Sequence, residues 1–437
     1  MPLPSRVKAF LRFFSSGKSD NRQLNDKVTK VQVFSWGRGA SGQLGGGIEE
    51  NRIYPCPIAN LSFASSSSSQ SFVLSQSAGR LPSDEQNSAN EIQVGVSCGL
   101  FHSGMVSDGR LKIWGKGDGG RLGLGHEHPA FVPTEIPFFD THSISALALG
   151  GVHSTALTSS GHLYTWGYGG FGALGHSVYH RELVPKLVEG QWRERISHVS
   201  TSGAHTAVIT ESGELYTWGR DEGEGRLGLG AGRGPSEGGA LSIPSKVKAL
   251  PEPIAAVCCG GFFTSALTKE GQVWNWGANS NYELGRGDRI GGWEPKRVPD
   301  LEGVRVVHIA SGGYHSLALT DEGKVLSWGF GGFGQLGHSC LQSEKKPRLI
   351  EPLSDKKVVY IACGGSSSAA VSDDGKLHMW GCAKDFQLGV PGLPDIQSSP
   401  SEVKFLDEED DDDVNFNVLA VAIGASHSVC LVSRSLT

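Results

Sequence analysis

Apolar and polar positions alternate with a period of two in short runs that end in Trp-Gly. In Leu163-Tyr164-Thr165-Trp166, and again in Leu215-Tyr216-Thr217-Trp218, Leu and Thr fall on one face and Tyr and Trp on the other. That is the periodicity of a strand. Just upstream of these runs stand turn residues ending in glycine: Ser107-Asp108-Gly109, Ser160-Gly161, Ser212-Gly213, Glu270-Gly271, Glu322-Gly323 and Asp374-Gly375. Glycine there takes the positive φ that a tight hairpin demands. Each Trp-Gly strand is therefore predicted to pair with the Gly/Ser/Ala-rich segment before its turn.

These runs recur. Trp-Gly stands at Trp36, Trp114, Trp166, Trp218, Trp276, Trp328 and Trp380, at successive spacings of 78, 52, 52, 58, 52 and 52 residues, and self-similarity of this kind decides the architecture. A full copy has a Gly-rich run with His and small residues, a turn, a strand ending in Trp-Gly, and a Gly-rich segment closing on Leu-Gly; Gly150 to Gly175 is one. The two ends complement each other. The last copy, from Gly424-Ala425-Ser426-His427-Ser428 to Val432, has the first strand and lacks a Trp-Gly half, whereas the first copy, Val31 to Gly45, has the Trp-Gly half and lacks the small-residue strand. Half-repeats that pair edge to edge leave no exposed edge, whereas a linear array would need caps. The predicted fold is all-β, a seven-bladed β-propeller over residues 31–433 closed by pairing of the N- and C-terminal half-repeats. Its core is built on the seven repeat tryptophans, and the Gly/Ser/Ala-rich strand is expected at the crowded position nearest the axis. Glycine is 62 of 437 residues, about twice the usual ~7%, and its periodic placement marks a packed repeat.

The repeat elements resemble the regulator of chromosome condensation family of seven-bladed propellers, whose repeats share G-x-H-[ST]-x-x-L, D-G, L-x-x-W-G and G-Q-L-G. The resemblance covers about residues 31–433 and implies the fold. It leaves activity open, because the family includes guanine nucleotide exchange factors, a plant ultraviolet photoreceptor, ubiquitin-ligase modules and organellar gene-expression factors. The photoreceptor carries tryptophans in G-W-R-H-T repeats at its dimer surface. The corresponding segments here, Gly203-Ala204-His205-Thr206, Gly261-Phe262-Phe263-Thr264 and Gly313-Tyr314-His315-Ser316, hold none. The nuclear exchange factor carries a basic tail and a hairpin that wedges into its GTPase, and the repeats around Trp166 have no insertion to build one. Similarity to the plant mitochondrial branch implies a non-enzymatic scaffold for organellar RNA processing, notably intron splicing of complex I subunit transcripts. Its implied partners are mitochondrial proteins, among them ribonucleoprotein or splicing factors, with direct RNA contact left open. The alternative is guanine nucleotide exchange on a small or organellar GTPase.

Residues before the propeller point to a compartment. MPLPSRVKAFLRFFSSGKS holds Arg6, Lys8, Arg12 and Lys18 and no acid before Asp20, and Val7, Phe10, Leu11 and Phe14 fall on one helical face. A basic, serine-containing, acid-poor amphipathic start describes a transit peptide. Residues 1–14 are expected to be mitochondrial targeting, cleaved between Phe14 and Ser15, with 15–30 a linker and the matrix the destination; a plastid peptide or a bland cytosolic tail are the alternatives. No run of about 18 apolar residues exists to span a membrane. The eight cysteines show neither C-x-x-C nor zinc spacing. Cys98, Cys259 and Cys363 precede small-residue strands and are expected as buried packing in a reducing compartment.

Three segments depart from the repeat. Surplus residues between the first two Trp-Gly pairs, about 61–90, include Ser65 to Ser69 and are expected as a flexible excursion. A Gly-rich insertion of mixed charge spans about 221–242. Residues 407–413 are seven consecutive acids, including Asp410, Asp411, Asp412 and Asp413, so that a formal net charge of −6 leaves +1 for the rest. That run is either a solvated loop or a dock for a basic partner. Tyr168, Phe171, Phe330 and Phe333, in G-[YF]-G-G-F-G loops, are expected on one rim as a partner surface, with inter-blade packing as the alternative role. Chemistry beyond surface presentation is sparse. Gly37 to Gly42 and segments from Gly115, Gly167 and Gly329 match G-x-G-x-x-G, but no helix pattern follows to hold a phosphate. His102, His153, His205, His315 and His427 share one repeat position, filled by Phe263 and Ser367 in two copies, and are expected to cap blade backbone. No catalytic set, cofactor or metal site is expected.

Overall fold

The structure, a computed structural model, describes residues 29–63, 71–74, 80, 91–221, 223–230, 239–251, 253–406 and 414–436. The expected targeting segment with Phe14 and Ser15, and the acidic run with Asp410 to Asp413, lie outside the described residues. Among the described residues the strands form seven sheets, six of four strands and one of five. Blade 3, built on Trp166, shows the pattern: Ile144–Leu149, His153–Thr158, Leu163–Gly167 and Glu182–Leu187 pair antiparallel in that order. The turns between second and third strands carry the predicted glycines with positive φ, such as Gly161 at 80°.

The small-residue strand is not the innermost one. The first strands of the blades, Glu91–Cys98, Ile144–Leu149, Ile196–Thr201, Ile254–Cys259, Val306–Ser311, Val358–Cys363 and Val414–Ile423, pack one against the next and return to the start, so they line the axis. The small-residue strand lies second. Its crowding comes from the adjacent blade: a Cβ on Gly104 would lie 2.6 Å from Leu147 Cδ2, on the inner strand of blade 3. Small side chains there make room for the neighbour's leucine, a constraint that close packing enforces to within a methyl group.

The ends close the ring as their sequences predict. Thr29–Gly37 pairs antiparallel with His427–Leu436, with Val33 opposite Leu431, Trp36 opposite Ser428 and Gly37 opposite His427. The register repeats that of blade 3, where Trp166 faces Ser154 and Gly167 faces His153. Blade 1 therefore reads, from axis outward, Val414–Ile423, His427–Leu436, Thr29–Gly37 and Arg52–Phe63. Among the described residues seven apolar clusters lie between blades and each contains one repeat tryptophan, all fully buried. Each such side chain removes ~150–250 Å² from water, or roughly 4–6 kcal/mol at about 25 cal/mol per Å².

Among the described residues, both insertions contribute to the propeller. Ser71–Leu74 pairs in parallel with Glu91–Cys98 as the fifth strand of blade 2, and Arg80 forms a bridge pair with His308 in the inner strand of blade 6. The expected loop is thus drawn in where an inner strand offers unpaired backbone groups. In the second, Asp221 is buried and accepts the Leu227 N–H at 3.3 Å, and Ala240–Lys246 is the outer strand of blade 4.

Strand direction sorts the connections onto two faces. The upper face carries the turns before each small-residue strand and the long loops after each Trp-Gly; the lower face carries the glycine hairpins, the connections between blades and the insertion after blade 1.

Candidate functional site

Each Trp-Gly strand is locked to the blade before it through one carbonyl. Trp166 Nε1 donates to the Arg121 carbonyl at 2.9 Å, and the Ser154 hydroxyl donates to the same oxygen at 2.7 Å. The pattern recurs with Trp114 and Ser103 on Gln43, Trp218 and Thr206 on Ala173, Trp276 and Thr264 on Arg226, and Trp380 and Ser368 on Gln335. At the seam Trp36 and Ser428 both donate to Gln387, from the far end of the chain. The loop that offers this carbonyl is itself pinned: Thr165 Oγ1 donates to the Leu174 carbonyl at 2.7 Å and Ser35 Oγ to that of Leu44 at 2.6 Å. The glycine after each tryptophan is required by close approach, since a Cβ on Gly37 would lie 2.7 Å from His427 Cα.

The repeat histidines extend this relay; they do not cap blade backbone. Nε2 of His427, His102, His153, His205 and His315 meets the hydroxyls of Ser103, Ser154, Thr206, Thr264 and Ser368 in the next blade, at 2.8–3.0 Å. Those hydroxyls spend their proton on the carbonyl, so the ring donates from Nε2. Burial holds every one of these rings neutral, pushing His153 and His427 down to about 4 and His315 to about 3. A side chain could reach across only because the hydroxyl one residue after each histidine position aligns with it in the adjacent blade, which a linear reading does not display. Where Phe263 replaces histidine, the Ser316 hydroxyl of blade 6 has no partner among the described residues. The thiols are equally structural. Burial raises Cys98 to about 12 and Cys259 further, and each Sγ points at a carbonyl of the preceding blade, of Ala422 and Ser200.

The upper rim is the surface of different character. Tyr168 and Phe171 meet edge to face at 5.3 Å, and Phe330 and Phe333 at 5.7 Å. The structure places these pairs on blades 3 and 6, in separate clusters. It adds rings that the loop motif did not reveal: Phe262 and Tyr314 stack at 5.2 Å and 23°, with Phe330 edge-on to Tyr314 at 6.5 Å. Phe101, Phe262 and Tyr314 share the repeat position before the histidine, a signal present in the sequence. Cations sit over the rim rings, Arg220 on Phe171 at 4.5 Å, Arg226 on Phe262 at 4.8 Å, Arg289 on Tyr282 at 4.6 Å and Lys116 on Phe101 at 5.6 Å. Tyr168 and Phe333 are 41% and 38% exposed, with Phe171 and Phe330 half-buried beside them. Arg226 is buried and pairs with Glu224 at 3.1 Å, and Lys116 pairs with Asp118 at 2.9 Å, so what the rim presents is its rings, which suit contact with flat partners.

A family model described as RCC1-like domain matches residues 32–430. The chain belongs to the RCC1-like domain family. It is 63% identical to the Arabidopsis thaliana protein named RCC1 domain-containing protein RUG3, mitochondrial, over 99% of this chain and 99% of that one. The ultraviolet-B receptor UVR8 of Arabidopsis thaliana is 31% identical, across 78% of this chain and 74% of the receptor. The propeller of yeast RCC1 (Prp20), in its complex with Kap60, superposes with a TM-score of 0.75 at 20% identity, covering 97% and 95% of the two chains, and human WBSCR16 with 0.71 at 22%, covering 92% and 98%. These two likenesses show the shared RCC1 fold.

Proposed function

We propose that this family member is a non-enzymatic mitochondrial propeller scaffold that supports organellar RNA processing, in intron splicing of complex I subunit transcripts. The observation that carries the reading is the near full-length 63% identity to a relative named as mitochondrial. The basic, acid-poor segment before Asp20 supports the same compartment, with the matrix as the site of action. The histidines and the thiols of Cys98 and Cys259 are committed to holding blades together, so function falls to presented surface. The aromatic upper rim with Tyr168, Phe171, Phe330 and Phe333 is the surface for ribonucleoprotein or splicing factors, and the acidic run 407–413 docks a basic partner.

Loss of the protein is expected to leave particular mitochondrial introns unspliced and to lower complex I before other respiratory complexes, read by transcript sequencing and native gels. Normal splicing of every mitochondrial transcript overturns the reading and favours nucleotide exchange, which release of labelled nucleotide from mitochondrial GTPases then checks. Residues 1–30 fused to a fluorescent protein should enter mitochondria and yield a new N-terminus near Ser15; a diffuse signal with residue 1 intact contradicts the targeting.

A further inference from the structure

On the lower face, a cleft of about 600 Å³ opens between blades 5, 6 and 7, lined by Lys269, Arg305, Lys357 and Arg80, with Asp321 as the carboxylate among its lining residues. Its floor is apolar, formed in part by Val307 and by Val359, which is 39% exposed although it lies on an innermost strand. We propose that this cleft binds phosphate groups, as the phosphates of a nucleotide or of a nucleic-acid backbone.

The cleft differs from the equivalent position elsewhere in the repeat. Arg195, Arg305 and Lys357 each stand just before the inner strand of their blade, and each carbonyl accepts a hairpin N–H, from Glu211, Asp321 and Asp373 respectively, at 2.9–3.1 Å. The side-chain stems are laid over the hairpin glycine of the preceding blade. A Cβ built on Gly161 would meet Arg195 Cβ at 2.6 Å, one on Gly271 Arg305 Cγ at 2.9 Å, and one on Gly323 Lys357 Cγ at 2.7 Å. In blade 4 the position is neutralised, because Arg195 pairs with Glu211 at 3.4 Å. In blades 6 and 7 the hairpin acid is aspartate, shorter by one methylene, and among the described residues no ion pair joins Arg305 or Lys357. Lys269 comes from the blade 5 hairpin and Arg80 from the insertion anchored on His308, so the cations converge from four separate stretches of chain.

Cations gathered in a concave site with low-dielectric walls focus a positive potential. Phosphate meets that field with several acceptor oxygens, and arginine offers it a planar fork of donors. The exposed Val359 beside them gives an attached sugar or base an apolar seat.

The test measures binding of a short fluorescein-labelled oligouridine, of ATP and of inorganic pyrophosphate to the full chain at low salt. Arg305→Gln with Lys357→Gln is expected to weaken the probe that binds by roughly tenfold, and to reduce the salt slope for oligouridine by ~1.4, at ~0.7 per lost single-strand contact. Arg195→Gln, removing the paired equivalent, should leave binding within about twofold, and equal melting of all variants confirms that the fold is kept. Competition by ATP or pyrophosphate identifies a free phosphate ligand, whereas oligouridine binding that neither displaces identifies a backbone track; both support the site. Absence of binding by all three probes, or equal binding by the double variant, overturns it.

Discussion

Blades 1 and 3 contain the same bonds made from different chain. In blade 3 the paired strands follow one another, and Trp166 reaches the Arg121 carbonyl across 45 residues of sequence; in blade 1 Trp36 reaches the Gln387 carbonyl across 351. The register opposite the small-residue strand is identical, Gly167 to His153 and Gly37 to His427. What differs is the entropy of closure, which grows only as (3/2)RT ln n and amounts here to about 2 kcal/mol. One buried tryptophan exceeds that. The seam is therefore as well bonded as any other blade in the native state, and what sets it apart is that its two halves lie at opposite ends of the propeller sequence.

Removing the C-terminal strand should have the largest effect. Ending the chain at Leu419 deletes His427–Leu436 and strips blade 1 of the partner of Thr29–Gly37. A loss of most of the stability is expected, with melting lowered by well over ~10 °C; melting within a few degrees of the intact chain shows that the ends do not hold the ring. Next in size, Trp36→Ala and Trp218→Ala should each cost about 3–5 kcal/mol in denaturant unfolding, and agree within about 1 kcal/mol if seam and interior are equivalent.

The histidines compare the same two regions through pH. His427 and His153 both have a folded value of about 4 against an unfolded value of ~6.5. The unfolded chain therefore takes up the proton first, so stability is fully present above about 6.5 and is lost as pH falls toward 4. Each ring accounts for a loss on the order of 3 kcal/mol at the acid end. His427→Gln and His153→Gln should flatten the stability profile between these limits by similar amounts, and a flattening confined to one of them separates the seam from the interior. Smallest of all, neutralising 407–413 to Asn and Gln, just before the inner strand of blade 1, should change stability by less than about 0.5 kcal/mol, since consecutive like charges gain nothing from one another.

Legibility in the sequence followed the range of the interaction. The seven tryptophans, the glycine hairpins and the complementary ends are written in local pattern and period, and these carry the propeller. Tyr168, Phe171, Phe330 and Phe333 were visible because each pair sits within one loop motif. The order of strands from the axis was misread, because smallness at Gly104 answers to Leu147 of another blade and not to the axis. The histidine partners were missed for the same reason: Thr206 belongs to the blade after His153, and no spacing within one repeat points across that gap. Stacking of Phe262 on Tyr314, and convergence of Lys269, Arg305, Lys357 and Arg80, depend on how adjacent blades and an insertion are brought together in space.

The two ends of the chain form one blade as firm as the others, and hydrogen exchange at the seam checks this. The amides of Val33, Phe34 and Ser35, and of Val429, Cys430 and Leu431 opposite them, should exchange as slowly as those of Tyr164 and Ala156 in blade 3, through global unfolding alone. Seam amides that exchange by local opening, while blade 3 stays protected, would contradict it.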